Sequence, residues 1–157
     1  MENPLHETMN NLMCEVLNSE FTHLSDVTTL INQNVDFFEN YFQTIDKENE
    51  LYAVSMNNLG YIYENKRNLV NSEKYYKISA NLGCPMGQYN LGNYYLKRNC
   101  RYRDAYKYLK LASEHFEIAL FLIGTMYQNG HYFIQDYNKA IDCYLNSQST
   151  PESNINL

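Results

Sequence analysis

The chain has no tryptophan and only three prolines, six glycines and four cysteines among its 157 residues, and each shortage excludes something. Pro4, Pro85 and Pro151 leave long uninterrupted stretches free to be helical. Cys14, Cys84, Cys100 and Cys143 form no CxxC and no paired spacing, so they read as free thiols of a reducing compartment. No apolar run approaches the ~20 residues of a membrane span. The start, MENPLHETMNNLMCEVL, has no basic segment followed by a long apolar one, which predicts no signal peptide. The net charge is −6, so no broad basic face is expected and nucleic acid is a poor ligand. Recognisable chemistry is missing as well. His6, His23, His115 and His131 are scattered, with no HExxH, phosphate-binding glycine loop or GxSxG. The expectation is no catalytic residue, no metal site and no cofactor.

What is abundant is apolar residues, at 45%, and aromatic residues, at 15%, which argue against a disordered chain. Sixteen tyrosines and 22 asparagines beside few arginines point to an AT-rich coding genome, as in a protist, a giant virus or an intracellular bacterium. Apolar residues recur at helical steps. In ELYAVSMNNLGYIYENK, Leu51, Val54, Leu59, Ile62 and Tyr63 follow steps of mostly three to five. No segment alternates with period two, so the chain is predicted to be all-α.

A pentamer occurs three times, as LGYIY, LGNYY and IGTMY, beginning at Leu59, Leu91 and Ile123, each 32 residues after the last. Four residues upstream of each stands a small residue, Ser55, Gly87 or Ala119. These offsets place the small residue, the aliphatic residue and a tyrosine on one helical stripe, with glycine at its edge. Gly60, Gly92 and Gly124 each cost about 1 kcal/mol of helix propensity, and close approach of a neighbouring helix is the simplest reason for keeping them. A second helix is expected after each pentamer helix, over 71–83, 103–116 and 136–149. The result is a set of helix–turn–helix units that cannot bury their faces singly and must stack.

These motifs resemble the Sel-one-like repeats, relatives of the tetratricopeptide repeats. Ala119, Ile123, Gly124, Tyr127, Gly130, Asp136, Lys139, Ala140 and Tyr144 fall on the family pattern in the third unit. Leu59, Gly60, Tyr63, Tyr75, Tyr76, Ala80 and Gly83 do so in the first, and Gly87, Leu91, Gly92, Tyr95, Ala105, Tyr108 and Ala112 in the second. Tyr132 stands where the family has its second loop glycine, and the first two units lack the glycine-rich loop. The resemblance implies a right-handed α-solenoid of stacked helix–turn–helix repeats with units at about 51–83, 84–116 and 117–148. Residues 1–49 then form capping helices, at about 5–18, 24–33 and 35–49, the last a degenerate repeat helix. A polar tail at 149–157 would be frayed and leave an apolar face around Ile141 and Tyr144 partly exposed.

The resemblance also implies a function: a non-catalytic protein–protein interaction module, an intracellular adaptor or scaffold, that holds a partner peptide or helix in a concave groove of first helices. Asn57, Tyr61, Glu64 and Asn65 would line it in the first unit. Tyr89, Asn93, Leu96 and Lys97 would do so in the second, and Phe121, Thr125, Gln128 and Asn129 in the third. Tyr63, Tyr95 and Tyr127 would pack in the core, and Tyr75, Tyr76, Tyr108 and Tyr144 between hairpins. The basic stretch KRNCRYR over 97–103 reads as a solvated turn in preference to a phosphate-binding strip. No nucleic acid or membrane partner is expected, and a homo-oligomer fits so small an array. A self-assembling structural protein is the alternative, and an enzyme with a Cys-based site comes last.

Overall fold

A computed structural model describes residues 35–49 and 51–147. The expected helices over 5–18 and 24–33 and the tail over 149–157 lie outside the described residues. Within them the chain folds into seven α-helices and one π-helical turn, with no strand: α1 (Val35–Thr44), α2 (Tyr52–Asn65), α3 (Leu69–Asn81), α4 (Pro85–Tyr94), the π-turn (Tyr95–Asn99), α5 (Tyr102–Ala112), α6 (Glu117–Asn129) and α7 (Tyr137–Asn146). Three antiparallel-type hairpins, α2–α3, α4–α5 and α6–α7, stack in sequence, α4 packing on both α3 and α2 and α6 on α5. Helix α1 leans on α2 at the leading side. It is shorter than the expected 35–49, because Asp46 and Asn49 turn the chain by accepting bonds from the amides of Glu48 and Leu51.

Local chemistry sets the helix ends. Asn68 caps α3 by accepting from the Asn71 amide at 3.2 Å, and Asp136 caps α7 by accepting from that of Lys139 at 3.0 Å. Pro85 occupies the first turn of α4, where its missing N–H costs nothing. The turns inside the hairpins need left-handed backbone. Gly130 supplies it at φ 68°, and where the short loops lack glycine, Arg67 at 58° and Cys100 at 49° adopt it instead.

The core has two parts. Phe38 and Phe42 of α1 meet Met56, Leu59 and Ile62 of α2 in one, while Tyr41 and Ile45 of the same stripe are half-buried against it. The other runs from Tyr76 through Leu91, Tyr95 and Leu109 to Met126. Each pentamer glycine admits a side chain from the second helix of its own hairpin. A Cβ at Gly60 would lie 2.8 Å from Cγ of Tyr76, one at Gly92 2.8 Å from Cγ of Leu109, and one at Gly124 2.6 Å from Cε1 of Tyr144. Tyr76, Leu109 and Tyr144 are therefore equivalent residues; Tyr76 also meets Tyr94 of the next hairpin, whereas the contacts of Tyr144, expected between hairpins, are with α6 of its own.

Candidate functional site: a cleft on the first helices

Tyrosine hydroxyls join the hairpins through charged partners. The Tyr63 hydroxyl donates to Glu39 Oε1 at 2.6 Å and accepts from Gln43 at 3.1 Å, while Lys66 bonds the same carboxylate, linking α2 to α1. One hairpin later the Tyr95 hydroxyl donates to Glu73 at 3.0 Å. Arg101 also donates to Glu73, at 3.0 Å, and lies 4.3 Å from the Tyr95 ring centroid. The Tyr76 hydroxyl donates to Glu64 at 2.9 Å, and Arg98 Nε donates to that carboxylate at 3.1 Å. Arg98 and Arg101 are thus ties between units, and the basic stretch 97–103 is more than a solvated turn. The third unit departs from this pattern: Tyr144 donates to Gln128 at 2.6 Å, and Tyr127 stacks on Phe133 at 4.4 Å.

These ties set proton affinities. Lys66 first, then the Tyr63 hydroxyl, hold the Glu39 carboxyl below its ordinary value, against the opposing effect of burial. The bond to Glu39, then burial, push the Tyr63 phenol up to about 12. A raised phenol pKa means the neutral form is favoured in the fold. The stabilisation is complete below the ordinary value near 10 and is lost as pH rises toward 12. The melting-temperature difference between wild type and Tyr63→Phe is therefore constant between pH ~6 and ~10 and shrinks between there and about 12. Thermal melts across that window test this; a difference that does not change with pH would refute the tie.

Around the Glu64–Arg98 pair lie two adjoining surface concavities. One, of about 340 Å³, is lined by Glu64, Asn90, Asn93, Tyr94, Lys97 and Arg98. The other, of about 590 Å³, is lined by Glu64, Asn65, Arg67, Leu69 and Arg98. The structure thus brings together Glu64, Asn65, Asn93 and Lys97 of the expected groove. Asn93 is half-buried, with its Oδ1 shielded and unpartnered.

The other expected residues have different surroundings. Asn57 is only 5% exposed. Its Oδ1 accepts from Asn90 at 2.8 Å, so this amide ties α2 to α4. Tyr61, Tyr89 and Leu96 are half-buried against the core, Tyr89 meeting Phe116 edge to face. Phe121 lies 5.1 Å from Tyr144, the Thr125 hydroxyl donates to the Leu122 carbonyl, and Gln128 and Asn129 are exposed at the end of α6. Asn90, Tyr94 and Arg98 are cleft residues that the pattern did not single out. The π-turn over Tyr95–Asn99 inserts an extra residue per turn and rotates the chain beyond it, and offsets counted from the pentamer glycine cannot register that shift.

Among the described residues no group of three or more His, Cys, Asp or Glu is placed to hold a metal. Cys84, Cys100 and Cys143 are free thiols, and burial, then Asp142, push that of Cys143 up, away from a reactive thiolate. No described helix is long and apolar enough to cross a membrane.

No family model matches the chain. A curated sel1-like repeat-containing protein of Acanthamoeba polyphaga mimivirus is 32% identical over 98 residues. That match takes in 59% of this chain and 18% of the relative, so the chain corresponds to less than a fifth of that protein's length. The stacked helical hairpins and this similarity agree: the described residues form a helical-repeat fold, and the chain is similar to a sel1-like repeat-containing protein.

Proposed function

We propose that the chain is a non-catalytic protein–protein interaction module, an adaptor or scaffold, that holds an extended peptide or a helix of a partner on its first helices. The observation that supports this is the pair of concavities spanning α2 and α4, where amides and charges converge on the Glu64–Arg98 pair. The amides of Asn65 and Asn90 can donate and accept, and that of Asn93 can donate, as a peptide backbone requires. Arg98 and Lys97 add charge that steers and orients a partner. The side chain of Glu64, held by Tyr76 and Arg98, offers these groups from a fixed frame.

The test is affinity capture from host lysate, read by mass spectrometry, with the variant Asn65→Ala/Asn93→Ala/Lys97→Ala beside the wild type. All three side chains are half-buried or exposed, so the variant keeps its helical circular dichroism. A partner held by wild type and reduced about tenfold or more by the variant is the expected result. Equal retention by both would place the binding surface elsewhere, and capture of nothing but the chain itself would favour self-assembly.

A further inference from the structure

Helix α5 carries a second surface unrelated to the first-helix cleft. Arg103, Lys107 and Lys110 follow one another at helical steps along its outer face. In a chain of net charge −6, none of the three makes an ion pair with a carboxylate among the described residues. Asp104, beside Arg103 in sequence, is engaged by Arg101 at 2.6 and 2.9 Å. These cations border a concavity of about 470 Å³ that also takes in Tyr106, Leu111 and Tyr132. Leu111 is 41% exposed and Tyr132 50%, so apolar surface lies open between the charges.

An independent feature concerns Tyr132. Its φ is 71°, a left-handed conformation that costs a non-glycine residue about 1–2 kcal/mol by general estimates, and it stands where the repeat pattern has glycine. The strained backbone is held by neighbouring rings. Phe133 stacks on Tyr127 at 4.4 Å and meets Tyr106 edge-on at 4.7 Å, while Tyr106 lies 5.7 Å from the Tyr132 ring. A tyrosine kept at a position that glycine would occupy without strain, half-exposed beside a cationic apolar hollow, suits a ligand-facing role.

We propose that this face of α5, walled by the α6–α7 loop, docks an acidic peptide segment that carries a large apolar side chain. Lys107, Lys110 and Arg103 would pair its carboxylates, and Leu111 with the Tyr132 ring would receive the apolar group. Charge complementarity selects this occupant: the cations lack carboxylate partners among the described residues, and the hollow between them is apolar. A nucleic-acid strand fits less well, because the available cations are few and a phosphate backbone does not use the apolar floor.

The probe is a fluorescein-labelled dodecapeptide alternating Glu and Leu, titrated with the full chain by fluorescence anisotropy. A Gln-for-Glu version and an oligothymidine of equal length run in parallel. The acidic peptide binds, more weakly as salt rises, and the Gln version loses about tenfold or more. Lys107→Glu/Lys110→Glu weakens the acidic peptide about tenfold, while Lys97→Glu in the first-helix cleft changes it less than about twofold. Tyr132→Gly weakens it about fivefold with no fall in melting temperature, since glycine relieves the strained backbone. Equal affinity for the Gln version, indifference to the double reversal, or oligothymidine binding tighter than the peptide at this face would each overturn the proposal.

Discussion

Gly60→Ala lowers the melting temperature of the chain by roughly 8 °C. In an isolated helix the same change would stabilise, since alanine recovers about 1 kcal/mol of propensity. Here the new methyl meets the Tyr76 ring, with Cγ at 2.8 Å. The ring has nowhere to go. Tyr76 is 1% exposed, its hydroxyl is held by Glu64 at 2.9 Å, and its far side meets the Tyr94 ring with centroids 6.4 Å apart. Overpacking of this kind costs about 1–3 kcal/mol, and the displaced hydroxyl leaves Glu64 with one bond fewer, so the loss exceeds the propensity gain. Thermal melts by far-ultraviolet circular dichroism decide the sign. A rise in melting temperature would show that the two helices separate cheaply, and that the pentamer glycine is not there for close approach. Gly60→Ala combined with Tyr76→Leu recovers part of the loss, because the shorter side chain vacates the space over the glycine.

Leu91→Ala destabilises the chain by about 3 kcal/mol, seen as a fall in the urea midpoint at unchanged slope. Leu91 is fully buried in the larger core cluster, which runs from Tyr76 of α3 to Met126 of α6. A hole there removes contacts from the middle hairpin, and in a stacked array each hairpin is stabilised mainly by its neighbours. The surroundings cannot close easily, because Leu109 and Tyr95 are themselves fully enclosed. Ile141→Ala is the matched control. It removes as much carbon, but from a side chain 53% exposed on α7, and changes stability by no more than about 0.5 kcal/mol. Similar losses for the two variants would mean that α7 is covered in solution, as a self-assembled array requires.

The sequence by itself determined the helical class, the positions of the pentamer helices and the need for a helix after each of them. The physical reason is locality. Period 3.6, the scarcity of proline and a glycine recurring at one repeat position act over a few residues, and a repeat multiplies the signal by printing it three times. The partner of each glycine was not legible in the same way. Tyr76, Leu109 and Tyr144 lie 16, 17 and 20 residues beyond their glycines, because the loops between differ in length.

The tertiary structure alone decided what the polar residues do. Asn57 and Asn65 look alike in sequence, yet one is buried in a bond from Asn90 and the other lines a concavity. Arg98 reads as one charge of a basic run, and only stacking brings it to Glu64, 34 residues earlier. Tyr132 reads as a departure from a glycine, and only the backbone shows that it kept the glycine's conformation. Side-chain polarity announces that a group must find a partner, whereas which partner it finds depends on which helices meet, and at what rotation. A single extra residue in the π-turn after Tyr94 was enough to alter that rotation.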